Sequence, residues 1–251
     1  MNLKTGCAVL ISIIAFSILA EDNPFRMGDH LLKRGDYAEA LAEYQKFFNA
    51  NQNDPQAMWR VGAALTRIAL TELGNGRQNK LEEATNLLNR TIVADSKIVG
   101  AHLEYARALG YIGLFKPDWD DARLARRVRE ELLIVLKEEM DNADAYFLMG
   151  LWHRWVGPKP LLDRMPNGLG AASLDSAVVC LRKASKLDDT ALDFKLELAR
   201  TYIYTGNPTM AKEILKNLIA TKDVPKKYAG IPAAAAEELR ALEAPKPDDE
   251  K

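Results

Sequence analysis

From Arg26 onward, apolar residues recur at steps of three and four, the period that lines them along one face of an α-helix. The periodic stretches are punctuated at Gly35-Asp36, Asp54-Pro55, Asp95, Asp141-Asn142, Asp188-Asp189 and Gly206-Asn207. Such residues end one helix and cap the next. No segment alternates apolar and polar side chains as a half-buried strand does. The pattern therefore predicts an all-α chain of short paired helices.

The pairs are alike. A small residue falls in the first helix (A) of each pair at Gly28, Gly62, Ala106, Gly150 and Ala199. Its counterpart in the second helix (B) falls at Ala40, Ala84, Val128, Ala177 and Ala211, with Val128 the least typical. Four residues later come Tyr44, Leu88, Leu132, Leu181 and Leu215, and three further come Phe47, Thr91, Val135, Ala184 and Leu218. Small residues let two helices cross closely, and the large ones fill the space around the crossing. This arrangement resembles the tetratricopeptide (TPR) repeat. The resemblance implies a TPR-like α-solenoid of about five helix pairs whose A helices line a concave groove.

The two small positions are 12 residues apart in the first and fifth units, but 22, 22 and 27 apart in the second, third and fourth. Twelve is the TPR value. The central units thus carry long A–B inserts, which lengthen helices in part and otherwise emerge as loops on one edge of the stack. Turn residues mark them at Gly74-Asn75-Gly76, from Gly113 to Trp119, and from Gly157 to Gly170. Leu161, Leu162, Met165 and Leu169 predict that the last loop packs against its surroundings. The repeats are expected over 21–230, a capping helix over 231–244, and a polar, disordered tail over 245–251.

Residues 1–20 have a basic start at Lys4, an apolar run from Cys7 to Ala20, and a polar boundary at Glu21-Asp22. The run is about 14 residues, short of the roughly 20 that span a bilayer, and reads as a secretory signal peptide cleaved after Ala20. The expected product is exported, periplasmic or secreted, with no further span. The alternative is a chain tethered to the membrane by an uncleaved N-terminal anchor.

A closer resemblance lies in the second half. Gly150-Leu-Trp-His153, the long loop, Ser173-Leu-Asp-Ser-Ala177, Leu181-Arg-Lys-Ala184 and Thr221-Lys222-Asp223 before an Ala-Glu-rich helix are similar to regulator of microtubule dynamics proteins. The layout also resembles the TPR component associated with tripartite ATP-independent periplasmic (TRAP-type) transporters. Neither resemblance implies catalysis. Microtubule binding is not carried over to a chain that starts with an export signal.

Lys and Arg number 34 against 35 Asp and Glu in 251 residues, a net charge of −1, so there is no basic excess to neutralise nucleic-acid phosphates. Two cysteines, Cys7 and Cys180, and three histidines, His30, His102 and His153, give neither a disulfide framework nor a metal cluster. No cofactor and no catalytic group is expected. Cys180 reads as a buried inert thiol. Glu82-Glu83, Glu130-Glu131 and Glu138-Glu139 read as solvated charges, because neighbours in a helix do not face each other.

Groove-facing positions follow from the register: Trp59, Arg67, Arg107, Tyr111, Phe147, Arg154, Trp155, Arg200 and Tyr204. Arginine with aromatics suits an anionic or carboxylate-bearing partner. The competing reading pairs Arg107 and Arg200 with Glu104 and Glu197, three residues earlier on the same helices. A chaperone-type carboxylate clamp is absent, since Phe25 and Asp29 hold its positions. Trp152-His153-Arg154-Trp155 reads either as a rim around a ligand mouth or as core, with His153 in the slot that Leu31 and Leu65 fill. The expected function is a non-catalytic scaffold or adaptor that binds a protein or peptide in the groove. The alternative is a ligand-binding accessory to a solute transporter. There Trp59, Tyr111, Phe147 and Trp155 would enclose a small apolar or anionic molecule. The sequence leaves homo-oligomerisation open.

Overall fold

The computed structural model describes residues 23–244. The expected signal peptide and polar tail fall outside the described residues. Twelve α-helices are described: α1 Arg26–Arg34, α2 Tyr37–Ala50, α3 Pro55–Thr71, α4 Asn75–Ala94, α5 Val99–Leu109, α6 Ala122–Glu138, α7 Ala143–Val156, α8 Leu161–Arg164, α9 Leu174–Leu187, α10 Leu192–Tyr204, α11 Pro208–Ile219 and α12 Ile231–Glu243. No strand occurs among the described residues. Helix starts follow the punctuation. Asp54 accepts from the Gln56 amide at 2.9 Å with Pro55 as the first helical residue. Asn142 accepts from the Ala145 amide at 2.8 Å.

Helices pair as α1/α2, α3/α4, α5/α6, α7/α9 and α10/α11, and α12 packs on α10 and α11. The chain is therefore a TPR-like solenoid of five pairs. The small positions are contact points. A Cβ placed on Gly62 would lie 2.7 Å from Leu88 Cγ, and one on Gly150 would lie 2.6 Å from Leu181 Cγ. Tyr44, Leu88, Leu132, Leu181 and Leu215 are all fully buried, as is Val128. Each large side chain buried this way contributes about 1.5–3 kcal/mol relative to exposure.

The inserts divide between helix and loop. In the second unit nearly all the extra length is helix, and only Glu72–Gly74 separate α3 from α4. In the third, α5 runs on through a π-helical turn, Gly110–Leu114, into a loop that ends at the Asp121 cap of α6. In the fourth, residues 157–173 hold α8 and a 3-10 turn, Met165–Asn167. Buried Arg164 ties this loop down by donating to the carbonyls of Lys159 at 2.7 Å and Ala172 at 2.6 Å, and Leu169 is buried beside it. The loop packs against its surroundings as expected, but of the four apolar residues that suggested it only Leu169 is buried. Leu161, Leu162 and Met165 point outward, Leu162 with 83% of its surface exposed. Arg164 takes the anchoring role because its fork satisfies several loop carbonyls at once.

A second correction concerns Glu131. It is not a solvated charge: 1% of its side chain is exposed, and it pairs with Arg127 at 2.7 Å and with His102 Nδ1. His102 donates its other ring nitrogen to the Ser96 carbonyl at 2.9 Å. Acceptors on both nitrogens favour the imidazolium form, and the ring joins α5 to α6. The hydrogen bond from His102 to Glu131 raises the histidine's pKa against the opposing effect of burial.

The two ends of the array meet. Lys226, in the segment before α12, bonds Asp36 in the α1–α2 turn at 2.6 Å. Gly35 in that turn has φ +89° and packs so closely on Lys227 that an added Cβ would fall 2.6 Å from its Cβ. The open concave groove expected of the repeats is thereby closed across by the segment leading into α12.

Candidate functional site

The arginines of the A helices join each helix to the next. Arg67 on α3 bonds Glu104 on α5 at 2.8 Å, and Arg107 on α5 bonds Asp144 on α7. Arg154 on α7 bonds Glu197 on α10 at 2.6 Å, and Arg200 on α10 bonds Glu238 on α12 at 2.8 Å. Bonds within a helix, Arg107 to Glu104 at 3.2 Å and Arg200 to Glu197 at 2.7 Å, complete the series. Burial disfavours the charge on Arg67, but Glu104 and Asp144 outweigh it and raise its pKa. Burial likewise pushes the Asp144 carboxyl up, and Arg107 and Arg67 overcome this and hold it below its ordinary value. The arginine stripe is thus a ladder of compensated pairs.

Between this ladder and the closing segment lies a chamber of about 310 Å³, lined by side chains from the first unit through to the cap, among them Tyr37, Arg67, Asp144, Asp193 and Tyr228. Asp193 keeps one buried carboxylate oxygen without a hydrogen-bond donor, and burial together with Asp144 raises its pKa.

A larger pocket of about 610 Å³ opens at the edge where the inserts emerge. The third unit supplies Pro117 and Trp119, the fourth Arg154, Trp155, Pro158, Lys159 and Pro160, and the fifth Arg200 and Tyr204. Two hydrogen bonds tie the third-unit insert to the end of α7 and to the fourth-unit insert. Trp119 Nε1 donates to the Trp155 carbonyl at 2.9 Å, and Lys159 Nζ donates to the Trp119 carbonyl at 2.7 Å. Lys159 also lies 4.7 Å from the centroid of the Trp119 ring. Trp119 is buried, Trp155 half-buried and Tyr204 exposed, so a graded aromatic wall faces the opening. Lys159 has no carboxylate partner among the described residues, unlike Arg154 and Arg200.

The nine residues singled out from the sequence separate in space. Arg154, Trp155, Arg200 and Tyr204 meet in this pocket. Arg67 lines the chamber, and Arg107 is buried behind it, bonded to Glu104 and to the chamber residue Asp144. Tyr111 packs edge-on against Phe115, and burial pushes its pKa up to about 12. Phe147 is core, stacked on Phe194 with centroids 4.5 Å apart. Trp59 of the second unit stacks under Arg60 and against Gly100 at the start of α5. Trp59, Tyr111, Phe147 and Trp155 therefore do not enclose one molecule. Pro117, Trp119 and Lys159 were missed as site residues; the signal was a tryptophan set in an otherwise polar, Pro- and Asp-rich insert.

His153 belongs to the scaffold. Its Nδ1 accepts from the Ser173 amide at 3.3 Å, fastening the end of the long loop to α7. Burial, with Arg129 nearby, lowers its pKa to about 4.

Fold and edge pocket together define a TPR-like helical-repeat protein with an insert-built recess. The sequence matches the family model for "Regulator of microtubule dynamics protein 1-3" over residues 25–243, and the chain belongs to that family. No curated protein matches it significantly. Among solved structures it is similar to TTC0263, a thermophilic TPR protein of Thermus thermophilus. The identity is 19%, with 87% of this chain and 98% of that one covered and a TM-score of 0.60. It is also similar to a monomeric mutant of IFIT1 with m7Gppp-AAAA, at 15% identity, 88% and 58% coverage and a TM-score of 0.53. At these identities the likeness concerns the fold.

Proposed function

We propose that this chain is a non-catalytic, exported TPR-type scaffold that binds an extended segment of a partner protein in the edge pocket. The observation that carries the reading is the convergence of two inserts on Trp119, Trp155, Tyr204 and Lys159 at one open recess. Flat rings give large contact area at low conformational cost, and one uncompensated ammonium gives orientation toward an acidic group. The edge is favoured over the concave face because the ladder neutralises the arginines there and the Lys226 segment crosses it. The non-catalytic part rests on what the titratable groups already do. His102 is held in an ion pair, His153 accepts a loop amide, and burial pushes the Cys180 thiol up to about 11. Export rests on residues 1–20 alone.

The test is selection of displayed peptides on the full chain and on a Trp155→Ala/Tyr204→Ala variant. Peptides rich in proline or apolar residues beside an acid are expected on the first, with affinity at least tenfold weaker on the second. Selection of the same peptides equally well by both proteins refutes the assignment of the pocket.

A further inference from the structure

The chamber behind the closing segment leaves one acid unsatisfied. Four charges on its ladder side cancel, because Arg67 and Arg107 are bonded to Glu104 and Asp144. Asp188, also in the lining, accepts from the Thr190 amide at 3.0 Å and from its hydroxyl at 2.7 Å. Asp193, in the first turn of α10, is the exception: its Oδ1 is buried and receives no hydrogen bond. A buried acceptor without a donor carries its full desolvation penalty, and the penalty is larger for a charged group.

The surroundings of Asp193 are aromatic and apolar. Tyr37 opens α2, Phe194 follows Asp193 in α10, and Tyr228 lies in the segment before α12; all three line the chamber, as do Leu32, Leu70 and Ile231. Burial raises the pKa of the Tyr37 and Tyr228 phenols, and the Asp193 charge raises it further, so both rings lie within the field of this carboxylate. Lys33 and Lys227 belong to the lining too but are exposed, so the acid sits inside and these ammonium groups sit at the rim. The volume of about 310 Å³ is within the range of small-molecule sites. One water takes up about 30 Å³ and does not fill it.

We propose that the chamber binds a small primary ammonium compound with an apolar body, its N–H donated to Asp193 Oδ1 and its body against Tyr37, Phe194 and Tyr228. A primary ammonium brings both things the oxygen lacks, a donor and a positive charge, whereas a quaternary ammonium has no N–H to give. Ring faces attract a cation held within about 6 Å of them. The rim lysines repel a second positive charge, so a monoamine fits better than a diamine. A bare metal ion does not fit, since no group of three or more His, Cys, Asp or Glu is placed to hold one among the described residues. The chamber shares no lining residue with the edge pocket, so the inference does not depend on the function proposed for that pocket.

Isothermal titration calorimetry of the full chain at pH 7 compares 2-phenylethylammonium chloride with 2-phenylethanol, which has the same shape and no charge. The ammonium compound is expected to bind at least tenfold more tightly than the alcohol, and to lose at least tenfold in Asp193→Asn. An ammonium compound that binds no better than the alcohol, or not at all, overturns the proposal; this comparison needs no variant to fold. Unchanged affinity in Asp193→Asn overturns it as well. Intermolecular NOEs from the probe's ring protons are expected on Tyr37 and Tyr228. NOEs confined to Trp155 and Tyr204 put the probe in the edge pocket, in which case the chamber proposal fails and the reading of that pocket stands.

Discussion

Replacing Arg107 by Leu tests whether the ladder holds the A helices in register. Arg107 is 2% exposed and bonds Glu104 and Asp144, and the Glu104 side chain is itself only 7% exposed. Removing one partner of a buried pair costs about 3–5 kcal/mol, because the other charge is left desolvated. Here Arg67 remains 2.8 Å from Glu104 and 3.6 Å from Asp144, and Asp144 reaches solvent, so part of the charge stays compensated. The expected loss is about 2–4 kcal/mol. At a urea slope of roughly 2–3 kcal/mol per M, a loss of ~3 kcal/mol moves the unfolding midpoint down by about 1–1.5 M. Far-UV circular dichroism at pH 7 tracks the transition. The control is Arg123→Leu, whose side chain is 91% exposed and sits 3.8 Å from Asp121; it is expected to cost under ~0.5 kcal/mol. If Arg107→Leu costs no more than this control, the inter-helix pairs do not hold the array and the reasoning fails.

Gly150→Val places a branched side chain against Leu181, with the backbone nitrogen of Leu181 3.2 Å from the new Cβ, and is expected to destabilise by about 1–3 kcal/mol. Combining it with Leu181→Ala is expected to cost less than the sum of the two single changes in thermal or urea unfolding; strict additivity contradicts the packing described. The histidines move in opposite directions with pH. His153 is expected to stay neutral in the fold until about pH 4 while its unfolded form protonates near 6.5, so its contribution is full above 6.5 and declines between 6.5 and 4. His102, raised by Glu131, contributes fully below 6.5 and loses its contribution as pH rises through its raised value. Imidazole proton shifts measured by NMR distinguish them, and a His153 that titrates near 6.5 refutes the assignment.

The helix pairs were legible because their signal is local. A glycine or alanine in each A helix and a large apolar residue four positions past its B-helix counterpart describe one crossing, and Gly62 against Leu88 or Gly150 against Leu181 realises it directly. The ladder was half legible. The i−3 partners Glu104 and Glu197 lie on the same helices as their arginines. Asp144 and Glu238 are 37 and 38 residues further along, and only the stacking of successive helices brings them into reach. The same holds for Glu131, which looks like one of a solvated pair until α5 brings His102 onto it. Arg164 rather than Leu162 anchors the long loop, because an irregular segment must satisfy its carbonyls before it can bury its leucines.

The placing of the proposed site at the edge rather than in the groove rests on charge and closure acting together. A TPR-like groove recognises a ligand with side chains that its own helices leave unpaired, and here the arginines on the A helices are matched by acids. Once Arg67, Arg107, Arg154 and Arg200 are committed in this way, the concave face gains rigidity and loses its free donors. The contact between Asp36 and Lys226 then spans what remains of the opening. The proposed binding surface combines insert residues with A-helix residues that border them. The third-unit and fourth-unit inserts are held to each other through Trp119, Trp155 and Lys159. The rigid A helices place Arg200 and Tyr204 opposite them. The extra residues in the central units and the paired ladder are, on the proposed reading, two sides of one arrangement, in which the repeats supply the frame and the inserts complete the pocket.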